Sequence, residues 1–133
     1  MSKFFAFIYR MKYIARWSLM RNTRTENVAE HSFHVSVLAH ALAVIARDVF
    51  GRDIDPGAVA AAALYHDMPE ILTGDLPTPI KYYGSDIKNA YKRIEREATE
   101  TLLSNLTDEM RPGISEAAAA EDEEIKVLVK AAD

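Results

Sequence analysis

An all-α fold is predicted by three features of the sequence. Every strongly periodic run repeats at helical spacing, no run shows convincing strand alternation, and capping signals stand where helices would open. The first run, residues 3 to 15, places Phe4, Ile8, Met11 and Ala15 on one stripe. Asn27 reads as an N-cap, with Glu30 three residues on completing an approximate capping box. That helix is expected to run to about Val49 and stop near Gly51. Asp55-Pro56 is a second start signal, a cap followed by proline at the first helical position, and its helix carries AVAAAALYHD. Pro69 cannot sit deep in a helix without losing a hydrogen bond, so the chain kinks there or begins a new short turn. LTGDLPTP has turn chemistry and reads as a loop. Ser85 opens a long helix to about Ser104, and Thr107 opens a shorter one, broken or bent near Pro112-Gly113. The last segment, EDEEIKVLVKAAD, sets Ile125, Leu128, Val129 and Ala132 on one side of a helix.

The 133 residues suffice for one domain with a real core, and neither an internal repeat nor a low-complexity linker divides them. Apolar residues make up 49% and charged residues 27%, ordinary for a globular protein. No apolar run is read as a membrane span, and Arg10 and Lys12 interrupt the short apolar N-terminus too early for a secretory signal. The expectation is a cytoplasmic protein without a membrane partner. With no cysteine, disulfides and thiolate metal sites are excluded. A net charge of −4 disfavours a nucleic-acid polymer as partner. Residues 1 to 24 nevertheless carry Lys3, Arg10, Lys12, Arg16, Arg21 and Arg24 and no acidic residue. Such a stretch is either a solvated basic face or a local phosphate-binding end.

Histidines occur at 31, 34, 40 and 66. At 100° per residue, Val35, Leu38, Leu42, Ile45 and Val49 form the apolar stripe of the Asn27 helix. His31 lies on that stripe, His34 on its flank and His40 opposite. A lone histidine on an apolar face is ordinarily a hydrogen-bonded core residue. Here it has company. Asp133 follows Val129 by four residues, on the apolar side of the last helix, and His66 and Asp67 end the alanine-rich helix. Three buried helices would then each bring a metal-type ligand inward. A buried carboxylate is normally paired or bound to metal. Two imidazoles and two carboxylates suit Zn, Mn, Fe or Co(II).

ARWSLMRNTRTENVAEHSFHV and LYHDMPEILTGDLPTPIKYY resemble the bacterial 5'-deoxynucleotidases of the YfbR-like family, within the HD-domain metal phosphohydrolases, and the similarity runs through Asp133. The TENVAEHS and TGDLPTP segments are its specific parts. The resemblance implies a single HD-domain helical bundle over 1–133, C-terminally truncated relative to the family. It also implies hydrolysis of deoxyribonucleoside 5'-monophosphates to deoxynucleoside and phosphate, and a homodimer. The implied cofactor is a divalent cation, Co2+ or Mn2+ first, with Zn2+, Fe2+ and Mg2+ as further candidates. Carried over by motif, His31, His66, Asp67 and Asp133 are the expected metal ligands. Glu70 and Arg16 are the expected catalytic residues, Arg16 orienting the phosphate. The substrate-contacting set is Arg16, Trp17, His31, Asp67, Asp75, Leu76, Pro77, Thr78 and Asp133.

The chemistry of these residue types is consistent with such roles. Arginine offers a planar, permanently charged donor fork for phosphate. Glu70, four residues after His66, shares its face if the helix continues through Pro69. It would orient or deprotonate the attacking water, or protonate the leaving 5'-oxygen. Taken alone, it is equally a solvated first-turn carboxylate after Pro69. Trp17 is a core anchor or a wall against the sugar that excludes a ribose 2'-hydroxyl. Asp75 accepts a bond from the 3'-hydroxyl or supports its turn. Two alternatives stand beside the deoxynucleotidase: an HD phosphohydrolase acting on a nucleoside triphosphate or cyclic nucleotide, and an inactive metal-binding or dimerising remnant. With a proposed ligand as its last residue, a chain ending at Asp133 is expected to bind metal weakly and turn over slowly.

Overall fold

The computed structural model describes residues 2–133. Among the described residues the backbone is helical between turns, with one isolated antiparallel bridge joining Ala15 and Asn27. Helix α1 (Lys3–Ile8) is capped by the Ser2 hydroxyl, which accepts from the Phe4 N–H, and it buries Phe4 completely. The run does not stay helical to Ala15 as its periodicity suggested. It tightens into a 3-10 turn (Tyr9–Tyr13), and Ile14 is extended. The cause is the bridge: the Val28 N–H donates to the Ile14 carbonyl at 3.0 Å and the Arg16 N–H to the Glu26 carbonyl at 2.9 Å. Segment 16–26 is thus closed at its base against the start of the next helix.

Helix α2 (Val28–Asp48) opens on the full capping box, Asn27 accepting from the Glu30 N–H at 2.9 Å. Its buried face differs in phase from the stripe expected of it. Leu38, Ile45 and Val49 are exposed, whereas His31, Ser32, Val35, Ser36, Ala39 and Ala43 are buried. Small residues face inward because α2 packs along α3 (Pro56–Tyr65), itself alanine-rich, and the Ser36 hydroxyl donates to the Ala60 carbonyl at 2.9 Å. His31 is inside in either phase, since it shares the Val35 side. By length and composition alone α2 could cross a membrane, contrary to the sequence reading. Its inner face instead packs on α3 and on α8 (Glu123–Ala132), as a core helix does.

After Tyr65 the chain makes a tight turn, with the Met68 N–H donating to the Tyr65 carbonyl and the Glu70 N–H to the Asp67 carbonyl. The alanine-rich helix has already ended at Tyr65, and Pro69 is the N-cap of a new short helix, the second of the two outcomes expected for it. The predicted loop is helical at both ends, overlapping the last two residues of α4 (Glu70–Thr73) and the first two of α5 (Thr78–Lys81), and Gly74 at φ +72° ends α4. Helix α6 (Ser85–Leu103) follows. Pro112 does not break the next element: α7 (Arg111–Ala118) begins beside it, where proline's missing N–H costs no helical bond. Two cores result. Phe4, Met11, Val28, Met68, Ile71, Leu102, Leu103 and Leu106 form one, and Val35, Ala39, Ala43, Val59 and Ala63 the other, covered by α8.

Candidate metal centre and adjoining cavity

The site sits at the seam between these cores. In α2, His31 lies between Val28 of the first core and Val35 of the second. At the end of α3, His66 lies between Ala63 and Met68, again one from each. Met68 is fully buried, and its contact with the first core fixes the turn that carries His66, Asp67 and Glu70. Helix α8 packs Val129 and Ala132 on the second core and so delivers Asp133, its C-terminal cap, to the same point.

Ligand-type atoms of His31, His66 and Asp133 all lie within 4.8 Å of one another. His31 Nε2 is 2.8 Å from Asp133 Oδ1 and 3.5 Å from Asp67 Oδ2. His66 Nε2 is 3.2 Å from Asp67 Oδ2 and 3.6 Å from Asp133 Oδ1, yet it is buried without a well-aligned hydrogen-bond partner. The other nitrogen of each ring is held from behind. His66 Nδ1 donates to the Ala63 carbonyl at 2.7 Å, which directs Nε2 into the cluster. The Arg16 guanidinium, which can only donate, bonds His31 Nδ1 at 2.6 Å, so the neutral His31 ring carries its proton on Nε2 toward Asp133, and ligation through Nε2 requires that arrangement to be given up. Burial disfavours the charged form of His66, but the carboxylates of Asp133 and Asp67 beside it push its pKa up to about 10. The two imidazoles hold the Asp133 carboxyl well below its ordinary range despite burial. Asp67 is opposed by burial and lowered on balance by His66 and His31. The ionised carboxylates and the imidazoles directed among them form the donor set of a cation site. Two imidazoles and two carboxylates with an orphaned, inward-directed nitrogen fit a divalent cation.

Asp67 and Asp133 open onto a cavity of about 230 Å³ that is also lined by Arg16, Trp17, Glu70 and Lys81. Asp75, Leu76, Pro77 and Thr78 line it as well. All of the sequence-nominated residues thus meet in one place, with His31 and His66 behind the two aspartates. Arg16 is fixed by a 2.8 Å ion pair with Glu26 as well as by His31. Trp17 adopts φ +59°, a left-handed conformation unusual for a bulky residue, and its N–H donates to Asp75 Oδ2 at 2.9 Å. One oxygen of Asp75 is therefore committed to a tether across 58 residues of sequence.

Glu70 is 5% exposed, so it is not a solvated first-turn carboxylate. Burial, with Asp67 and Asp75 against the pull of Lys81, raises its pKa to about 7. Its Oε1 accepts from Lys81 Nζ at 3.3 Å, while Oε2 is buried and unpartnered. Sequence reasoning missed Glu26 and Lys81. Both lie inside the motif segments, Glu26 in TENVAEHS and Lys81 in PTPIKYY, and that membership was the only signal, since their partners are ten and eleven residues away in sequence.

A family model described as 5'-deoxynucleotidase YfbR-like matches residues 3–133. The 5'-deoxynucleotidases of Cronobacter sakazakii and Citrobacter koseri are 49% and 50% identical over 136 residues, each match covering 99% of this chain and 67% of the relative. Among solved structures, an HD-domain phosphohydrolase from Listeria innocua aligns with a TM-score of 0.79 at 24% identity, over 95% of this chain and 61% of its own, a likeness of fold. The cyanophage S-2L HD phosphohydrolase, solved with dA and one catalytic zinc ion, aligns with a TM-score of 0.67 at 26% identity, over 96% of this chain and 64% of its own. The chain thus spans about two thirds, or slightly less, of the length of the proteins it matches.

Proposed function

The chain belongs to the YfbR-like 5'-deoxynucleotidase family, and from that premise we propose that its 133 residues are one HD domain that hydrolyses deoxyribonucleoside 5'-monophosphates to deoxynucleoside and phosphate. The observation that carries the reading is that Arg16, Glu70, Asp67 and Asp133 line one cavity, with Asp133 clustered with His31 and His66 and Asp67 in contact with both histidines.

His31, His66, Asp67 and Asp133 would hold the divalent cation, which supplies Lewis acidity toward a phosphoryl oxygen and a water of lowered pKa. Co2+ or Mn2+ is the proposed ion, suited to a nitrogen-and-oxygen donor set without thiolate. Arg16, pinned by Glu26, offers its remaining N–H groups to the phosphate and sets its orientation. Glu70, with its pKa near neutrality and its side chain lining the cavity, takes the proton of the attacking water. As the water oxygen bonds to phosphorus and the bond to the 5'-oxygen breaks, Glu70 returns that proton to the leaving oxygen. The Trp17 ring, locked by its backbone tether to Asp75, forms the wall that a 2'-hydroxyl would strike.

Leu38, Ile45 and Val49 form an exposed apolar stripe on α2, and a homodimer through that face is part of the proposal. Sedimentation velocity should give a dimer that Leu38→Glu dissociates; a wild-type monomer at micromolar concentration contradicts it. The proposed location is the cytoplasm, where charged nucleotides are retained.

The test of activity is phosphate release from dAMP, dGMP and dTMP, compared with AMP, dATP and cyclic AMP, across Co2+, Mn2+ and Zn2+. Preference for the deoxynucleoside monophosphates supports the reading. Preference for dATP or cyclic AMP would move the protein to another phosphoester class, and no release from any of them would leave a metal-binding domain without turnover.

A further inference from the structure

Glu70 has two oxygens, and the protein treats them differently. Oε1 receives the ammonium of Lys81 at 3.3 Å, while Oε2 is buried with no partner. Lys81 ends α5, the helix that Thr78 opens. Its head is itself confined: Nζ is 3.9 Å from Glu95 Oε1 and 4.9 Å from the centroid of the Tyr91 ring, both on α6. Tyr91 is buried, and its hydroxyl lies 3.3 Å from Thr73 Oγ1 on α4. The lysine side chain is only 20% exposed, whereas lysine normally extends into solvent. A cation kept in this way is a fixed point.

We propose that Lys81 is a positioning residue that holds Glu70 Oε1, so that the Glu70 carboxyl keeps one orientation beside the cavity. The inference rests on the hydrolase reading above and deepens it. Two other roles for Lys81 account for less. As a phosphate ligand it would need a free head, but its ammonium already faces two carboxylates and a ring. As a purely structural pair it would sit in a core; instead it lines the cavity with Arg16, Asp67 and Glu70. The other groups around Glu70 do not supply the hold. Asp67 and Asp75 on the flanking turns are acidic and repel it, and the 3-10 turn that packs on α4 contributes uncharged Met11.

Wild type, Lys81→Met, Lys81→Arg, Glu70→Gln and the double variant are compared for metal content, thermal melting and dAMP hydrolysis. Lys81→Met should lose roughly 100-fold in kcat, the scale of a misplaced catalytic group. KM should stay within about twofold, because substrate binding is not touched. Metal content should be unchanged, and Lys81→Arg should recover most of the rate. The double variant should be no slower than Glu70→Gln alone, since Lys81 acts only through Glu70. A raised KM at unchanged kcat would assign Lys81 to the phosphate instead, and multiplicative losses in the double variant would show independent action. Either result overturns the proposal. If wild type released phosphate from no nucleotide, the hydrolase reading would fail separately. Melting temperatures would then decide on the pairing, with non-additive losses expected and additive ones contrary.

Discussion

At the scale of single residues, the account turns on Glu70 being buried near the cluster without belonging to it. Glu70→Gln is expected to keep its metal and lose about 10²- to 10⁴-fold in kcat, the contribution of a proton-transferring side chain. Metal analysis beside phosphate release checks this, and parallel loss of both would make Glu70 a ligand. The same residue has a signature in stability. Its folded pKa, near 7, exceeds its ordinary value of 4.5, so between these values the folded protein binds the extra proton and stability falls as pH rises. In metal-chelated protein, denaturant titrations should show this decline in wild type relative to Glu70→Gln, and parallel curves from pH 4.5 to 7 would contradict it. Trp17→Ala should admit the 2'-hydroxyl, narrowing the dAMP-to-AMP ratio of kcat/KM by about tenfold, one steric contact's worth of discrimination. An unchanged ratio with the fold intact would remove the wall. His31, His66, Asp67 and Asp133 were nominated in the sequence because histidine and aspartate are conspicuous on apolar helix faces. Lys81 and Glu26 were not, because a lysine or glutamate on a polar stretch looks like solvent-facing charge until folding brings it 3.3 Å from Glu70 or 2.8 Å from Arg16.

At the scale of elements, chain starts were more legible than faces. Asn27 and Asp55 cap where their side chains predicted, because a cap is a local hydrogen bond. The phase of α2 was not legible. Hydrophobicity ranks leucine and isoleucine above alanine and serine, but the close approach of two helices selects small side chains, and the alanines of α3 set that distance. Pro112 misled for a related reason, since proline disrupts a helix interior but suits its first turn. Asn27→Ala should cost about 1 kcal/mol in denaturant unfolding. His31 is only four residues into α2, so the same change should also weaken metal affinity. Unchanged stability would mean that the backbone bonds at Ile14 and Glu26 fix the start of α2 unaided.

At the scale of the molecule, the two cores explain why ligands far apart in sequence converge. Each histidine is flanked by one residue from each core, so packing α2, α3 and α8 together places imidazole and carboxylate at the seam. The all-α class was legible because helical periodicity is local. The closure of segment 16–26, which holds Arg16 and Trp17 at the cavity, was not, because it depends on backbone bonds that no side chain announces. The central claim is that this seam is a metal-dependent phosphomonoesterase centre. Its most direct test is phosphate release from dAMP by one preparation, measured after chelation and again after adding back Co2+ or Mn2+. The account predicts no release after chelation, recovery with the metal, and no recovery in His66→Ala. Release that survives chelation, or a metal-loaded protein that leaves dAMP intact, would contradict it.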